Sequence, residues 1–132
     1  MITGITRNTD WKNFVRAIIE SVAYQTHDLF NSMKNDGLKP RIVKIDGGMV
    51  KNNWFSQFLS DLININVLRP KVLETTALGV ALFAGYGCGE FKSLDEIKRV
   101  WKKDRIFSPK LKKSTRNKLL NGWKLAIRKT LA

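Results

Sequence analysis

Apolar residues recur at spacings of three and four from Trp11 through Phe14, Val15, Ile18, Ile19 and Val22, and Leu29, Phe30 and Met33 continue the stripe. That period predicts an amphipathic helix. Asn8, Thr9 or Asp10 can cap its start; Asp36-Gly37, with Pro40 beyond, can stop it. Ahead of it, Ile2-Thr3-Gly4-Ile5-Thr6 alternates apolar and small polar residues and reads as a short strand or the end of one. Ile42, Val43 and Ile45 predict a second extended segment, broken by Gly47-Gly48. A helix with a wide apolar face follows through Trp54, Phe55, Phe58, Leu59, Leu62 and Ile63. Ile65, Val67 and Leu68 then make another short strand, closed by Pro70. Strand, helix and strand in this order predict a βαβ unit with parallel strands and a right-handed crossover.

A third helix is predicted from about Thr75, rich in small residues: Ala77, Gly79, Ala81, Ala84 and Gly85. Each glycine there costs about 1 kcal/mol of helix stability relative to alanine, so close packing against a neighbour is expected in return. Ser93-Leu94-Asp95-Glu96 reads as a capping box opening a fourth helix through Ile97 and Trp101. Phe107-Ser108-Pro109 reads as a turn. Ser114 or Thr115 can cap a last helix with Leu119, Leu120, Trp123, Ile127 and Leu131 on its apolar side. A two-stranded sheet is marginal on its own, and the apolar faces of several of these helices need cover. The pattern is that of an α/β unit forming part of a larger domain.

Length and composition narrow this picture. The 132 residues suit one ordinary domain, and 43% hydrophobic content suffices for a core. No apolar run of about 18 residues occurs, so no membrane span is expected. Arg7 and Asp10 interrupt the start before any secretory leader could form. Cys88 is the only cysteine and reads as a small buried apolar residue. These features fit a cytoplasmic protein. The net charge is +13, but residues 1–97 hold 11 Lys/Arg against 10 Asp/Glu, whereas residues 98–132 hold 13 against the single acid Asp104. The basicity belongs to the tail. Such a tail can contact nucleic acid or acidic partners, or it can be the solvated face of amphipathic helices.

The segment with most chemistry is Ile45-Asp46-Gly47-Gly48-Met49-Val50-Lys51-Asn52-Asn53. A strand ends, two glycines turn and a helix begins. Glycine lets a ligand lie against the backbone, and a helix start directs free N–H groups and a positive dipole end toward it. Asn52, expected in the first turn, can add a side-chain hydrogen bond to a base or ribose. A bare structural turn explains the same residues. Neither the dinucleotide nor the P-loop glycine pattern is present.

Asp46 to Phe55, followed by Gln57-Phe58, resembles the adenosine motif of glycerol kinases among the FGGY carbohydrate kinases. Gly4-Ile5-Thr6-Arg7 resembles the end of that family's second signature, Glu20 to Thr26 the helix after it, and Arg69-Pro70 with Glu74-Thr75-Thr76-Ala77-Leu78-Gly79 a further family segment. Gly122-Trp123-Lys124 resembles the last helix. The similarity runs over residues 2–131 in order. It implies the helix-rich part of an actin-like, ribonuclease-H-like ATPase domain, with residues 1–132 forming a partial C-terminal domain. It implies ATP or ADP with Mg as cofactors, and transfer of the γ-phosphate to glycerol, giving sn-glycerol 3-phosphate.

By the same resemblance Gly48 and Asn52 contact the nucleotide, with Gly47 a weaker candidate. Asp46 is expected to brace the turn through its carboxylate, and Glu74 to play a structural part at a helix start. The catalytic Asp, the phosphate-binding hairpin and the glycerol contacts are expected upstream, so no catalytic residue is assigned here and the piece alone is expected to be inactive. His27 is expected to be exposed, and no metal ligands are identifiable. Full-length relatives are expected to be homo-oligomers. Asn8 departs from the glycine common in the family, and Lys110 to Lys113 is more basic than its counterparts. Two other readings stand beside this one. Another sugar or polyol kinase of the family would share the motif. A basic module without catalysis would present an exposed cationic stripe with an aromatic, whereas a kinase piece would bury Leu119, Trp123 and Ile127. The apolar period of the tail favours burial and disfavours nucleic acid.

Overall fold

The computed structural model describes residues 1–131. Helix α1 spans Trp11–Asn35, and Asp10 is its cap. The Asp10 carboxylate accepts from the Asn13 amide at 3.1 Å, and the Asn13 side chain accepts from the Asp10 amide at 2.9 Å. Two orphan donors of the helix start are thereby satisfied reciprocally. Gly37, at φ 88°, closes the far end. The strand expected at Ile2–Thr6 does not form. No strand among the described residues runs beside it, and an extended segment without a ladder partner keeps no strand hydrogen bonds.

The βαβ unit is present. Strand β1 (Ile42–Lys44) leads through a short 3₁₀ turn at Gly48–Lys51 to α2 (Asn53–Ile63) and β2 (Asn66–Pro70). The strands pair in parallel, with Val43 opposite Val67. Asn64 ends α2 in the left-handed region at φ 57°, a conformation asparagine tolerates better than most residues. After α3 (Thr75–Gly87) and α4 (Leu94–Val100), a third strand β3 (Lys103–Phe107) pairs antiparallel with β2. The sequence pattern placed no strand there. The reason is that β3 is an edge strand: Lys103, Asp104 and Arg105 face solvent, and only Phe107 is buried. Charged edges prevent strand-to-strand aggregation, but they erase the apolar alternation by which a strand is recognised.

The core sits around α2. Phe55, Phe58, Leu59, Leu62 and Ile63 pack between Ala23 and Tyr24 of α1 and Val67 and Phe107 of the sheet. The wide apolar face of α2 is thus explained, since it serves a helix on one side and a sheet on the other. Helix α5 (Lys113–Leu131) adds Leu119, Leu120 and Trp123 to the rim of this core. Ile127, expected to be covered with them, stays exposed. Helix α5 begins before Ser114, so neither Ser114 nor Thr115 is its cap. In α4, Ser93 accepts from the Glu96 amide as expected, but the Glu96 carboxylate takes the Lys92 amide at 2.7 Å instead of that of Ser93. The close packing expected of α3 is found only at Gly85, where an added Cβ would lie 3.0 Å from the Phe91 ring; Gly79 faces open space, and α3 buries no residue.

Two single-residue expectations fail. Cys88 is exposed, because the end of α3 is uncovered. His27 is buried at 8% exposure, with Asn31 at 3.3 Å and the Asp28 carboxylate at 3.4 Å. One turn before it, Tyr24 stacks on Trp123 at 5.3 Å, and the Trp123 indole N–H donates to Asp28 at 2.6 Å, so α5 lands on this face. Burial pushes the His27 pKa below its ordinary 6.5, against a smaller opposite pull from Asp28. Between the folded pKa and 6.5 the unfolded chain therefore binds the extra proton, so stability rises with pH. Its contribution is full above about pH 6.5 and is lost as pH falls through the depressed value. Melting temperatures are expected to drop on acidification below pH 6.5, more steeply for the parent chain than for His27→Gln.

Candidate functional site

The loop from β1 to α2 is held by its backbone. Ile45 donates to the Leu68 carbonyl at 3.0 Å, prolonging the ladder by one residue, and Gly47 donates to the Leu73 carbonyl at 3.0 Å. Gly47 has φ 86° and ψ 178°, a region open essentially to glycine alone. Gly48 has no such backbone demand. A Cβ built on it meets no atom within 4 Å. Of the two glycines, the first is required by the chain's path, while the second leaves a bare backbone surface facing solvent.

The helix does not start at the glycines as the sequence predicts. The 3₁₀ turn is interposed, and Asn52 is the cap of α2, one position outside its first turn. Its side-chain oxygen accepts from the amides of Trp54 at 2.9 Å and Phe55 at 3.3 Å, and its carbonyl accepts from Ser56 at 3.1 Å. The early amides of α2 are therefore satisfied internally rather than offered to a ligand. These bonds also fix the amide's orientation, with the Nδ2 group directed away from the helix amides and no protein acceptor for it among the described residues.

Asp46 does not brace the turn. It is exposed, and its carboxylate makes no hydrogen bond among the described residues. Ser56 and Arg69 do that work. The Ser56 hydroxyl lies 3.2 Å from the carbonyls of Val50 and Asn52. Arg69 Nη1 donates to the Val50 carbonyl at 2.8 Å and to the Asn53 side chain at 2.9 Å. The detectable signal for Arg69 was an arginine directly after Val67 and Leu68 in a strand, since a charge so placed needs partners. Glu74 stands at the start of α3 without a side-chain cap bond.

An apolar groove of about 690 Å³ runs between α1 and α5, with Phe14, Ile18, Leu119 and Trp123 in its walls. Among the described residues no group of three or more His, Cys, Asp or Glu is placed to hold a metal ion, and no helix is long and apolar enough to cross a membrane.

Residues 1–88 match the FGGY family of carbohydrate kinases, C-terminal domain. The chain is 46% identical to glycerol kinase of Gluconobacter oxydans over 99% of its own length, and 46% identical to glycerol kinase 2 of Sulfolobus acidocaldarius over the same share. It spans about a quarter of those relatives, 26% and 27%. Among solved structures, Plasmodium falciparum glycerol kinase with ADP is similar at TM-score 0.84 and 36% identity, over 100% of this chain and 27% of that one. Xylulose kinase from Rhodospirillum rubrum shares the fold at TM-score 0.76 and 19% identity, over 98% of this chain and 26% of that one.

Proposed function

Because this chain belongs to the FGGY family of carbohydrate kinases, we propose that residues 1–132 form the nucleotide-binding, C-terminal part of a glycerol kinase. The whole enzyme would move the γ-phosphate of ATP to glycerol. The observation that carries this reading is the bare backbone at Gly48, set between β1 and α2 beside the outward amide of Asn52. The adenosine half of ATP or ADP lies against Gly48, where no side chain intervenes. Asn52 donates from Nδ2 to a ribose or base acceptor, its oxygen being held by the helix. Gly47 keeps the turn in the conformation that exposes both.

Phosphoryl transfer depends on holding the nucleotide in line with the attacking hydroxyl. In this reading the chain fixes one end of that line. The groups at the phosphates and at glycerol come from the three quarters of the relatives that it does not span. Among the described residues no group of three or more His, Cys, Asp or Glu is placed to hold the accompanying magnesium. Glycerol is supported over other polyols by the 46% identity to glycerol kinases. A nucleic-acid module is disfavoured because two aromatics of the basic tail are turned inward, Phe107 into the core and Trp123 onto Tyr24 and Asp28.

Calorimetric titration with ADP tests the site. The parent chain is expected to give weak binding heat and Gly48→Val none, with melting curves that stay close, since a Cβ at this position meets no atom within 4 Å. Equal heats would remove Gly48 from the site. Gly47→Val acts differently: its backbone strain is expected to cost about 1–3 kcal/mol of stability.

A further inference from the structure

We propose that Arg69 is a positioning residue for nucleotide binding, joining strand β3 to the turn that presents Gly48 and Asn52. The proposal rests on the functional reading above. Arg69 sits on β2 opposite Arg105, and the next pair is Pro70 with Lys103, so Asp104 is an extra residue in β3. A bulge of this kind re-aims a side chain. Here it accompanies a close ion pair: the Asp104 Oδ2 accepts from Arg69 Nε at 2.8 Å, and Nη2 lies 2.7 Å from the same oxygen. The third nitrogen, Nη1, reaches the other way, to Val50, Asn53 and, at 3.4 Å, the Lys51 carbonyl. The guanidinium lies 5.4 Å from the Phe107 ring centre, and its side chain is only 12% exposed.

One planar group thus spans two distant pieces of chain. Its Asp104 edge fixes the plane. Its Nη1 corner fixes the last residues of the 3₁₀ turn and the first residue of α2, which flank Asn52. Gly48 opens the same turn. A displacement of the turn moves Gly48 and Asn52 together, so the ligand contacts depend on the brace although the Arg69 nitrogens are themselves engaged by Asp104 and the turn. Lysine cannot replace it, because a single ammonium lacks the fork needed to hold both ends.

The test is ADP titration of the full chain carrying Arg69→Met, Arg69→Lys, Asp104→Asn and the pair Arg69→Met with Asp104→Asn. Ile63→Val is the control, destabilising the far end of α2 without touching the turn. Arg69→Met is expected to weaken ADP binding about tenfold, with Arg69→Lys recovering part of the loss. Asp104→Asn is expected to weaken it several-fold in the parent but not further in the Arg69→Met background, since coupled partners are non-additive. Ile63→Val is expected to lower the melting temperature with unchanged affinity. Equal ADP affinity in parent and Arg69→Met overturns the positioning role alone. A loss in Arg69→Met matched by Ile63→Val overturns it too, assigning the effect to stability. Absence of ADP binding by the parent chain overturns the nucleotide reading itself.

Discussion

Replacing Phe58 by alanine is expected to remove about 4 kcal/mol of stability, enough to leave much of the chain unfolded at 37 °C. Phe58 is the junction of the aromatic contacts on α2. Its ring stacks on Trp54 at 5.0 Å and meets Tyr24 edge-on at 5.7 Å, and it is 7% exposed. Tyr24 in turn carries Trp123, so the cavity would loosen α1 and α5 together. Domains of this size retain about 5–15 kcal/mol in all. This one keeps Trp11, Ile18, Val80 and Phe83 largely in water, which places it low in that range. Urea titration followed by far-ultraviolet circular dichroism reads the result. A shift in midpoint worth under about 1 kcal/mol, the size of an ordinary surface substitution, would mean that the ring is not a keystone of the core.

Asp61→Ala is expected to act almost as strongly, but on one element. The Asp61 carboxylate is buried at the end of α2, where one oxygen accepts from the Lys110 amide at 2.6 Å, the Leu111 amide at 3.2 Å and the Gln57 side chain at 3.1 Å. It fastens the approach to α5. Alanine leaves those amides without an acceptor, for a loss of about 2–3 kcal/mol given bonds to a charged group. The loss is expected to appear as detachment of α5. Limited proteolysis is therefore expected to cut near residues 108–113 many times faster than in the parent, while the β1–α2–β2 unit persists. Uniform degradation of the whole chain would refute a local role.

These two residues show where sequence reasoning reaches and where it stops. Phe58 was legible as core because its doublet with Leu59 recurs along α2, and periodicity survives whatever packs on it. Asp61 lies on the same helix without any local mark of its backbone partners Lys110 and Leu111, which are 49 and 50 residues away. The glycine loop was legible as a turn because Gly47 and Gly48 interrupt a strand. Its brace was only half legible: Arg69 stands out beside Val67 and Leu68, but its partner Asp104 is met only through a bulge in a strand that opens with three charged residues. The burial of His27 and the exposure of Cys88 were misread for a common reason. Each depends on what lands on a helix face, and only a partner element decides that. Asp46 was misread because proximity in sequence to a turn says nothing about where a carboxylate points.

The contrast between the adjacent glycines has an evolutionary side. Gly47 is fixed by backbone geometry, so any copy of this chain that must still fold is under pressure to keep it. Gly48 faces open space, where a Cβ meets no atom within 4 Å, so under the proposed reading only a nucleotide lying against it would give the position a cost. In a lineage where catalysis had lapsed but the protein persisted, substitutions would accumulate at Gly48 first. Selection for folding alone holds the first glycine and is blind to the second.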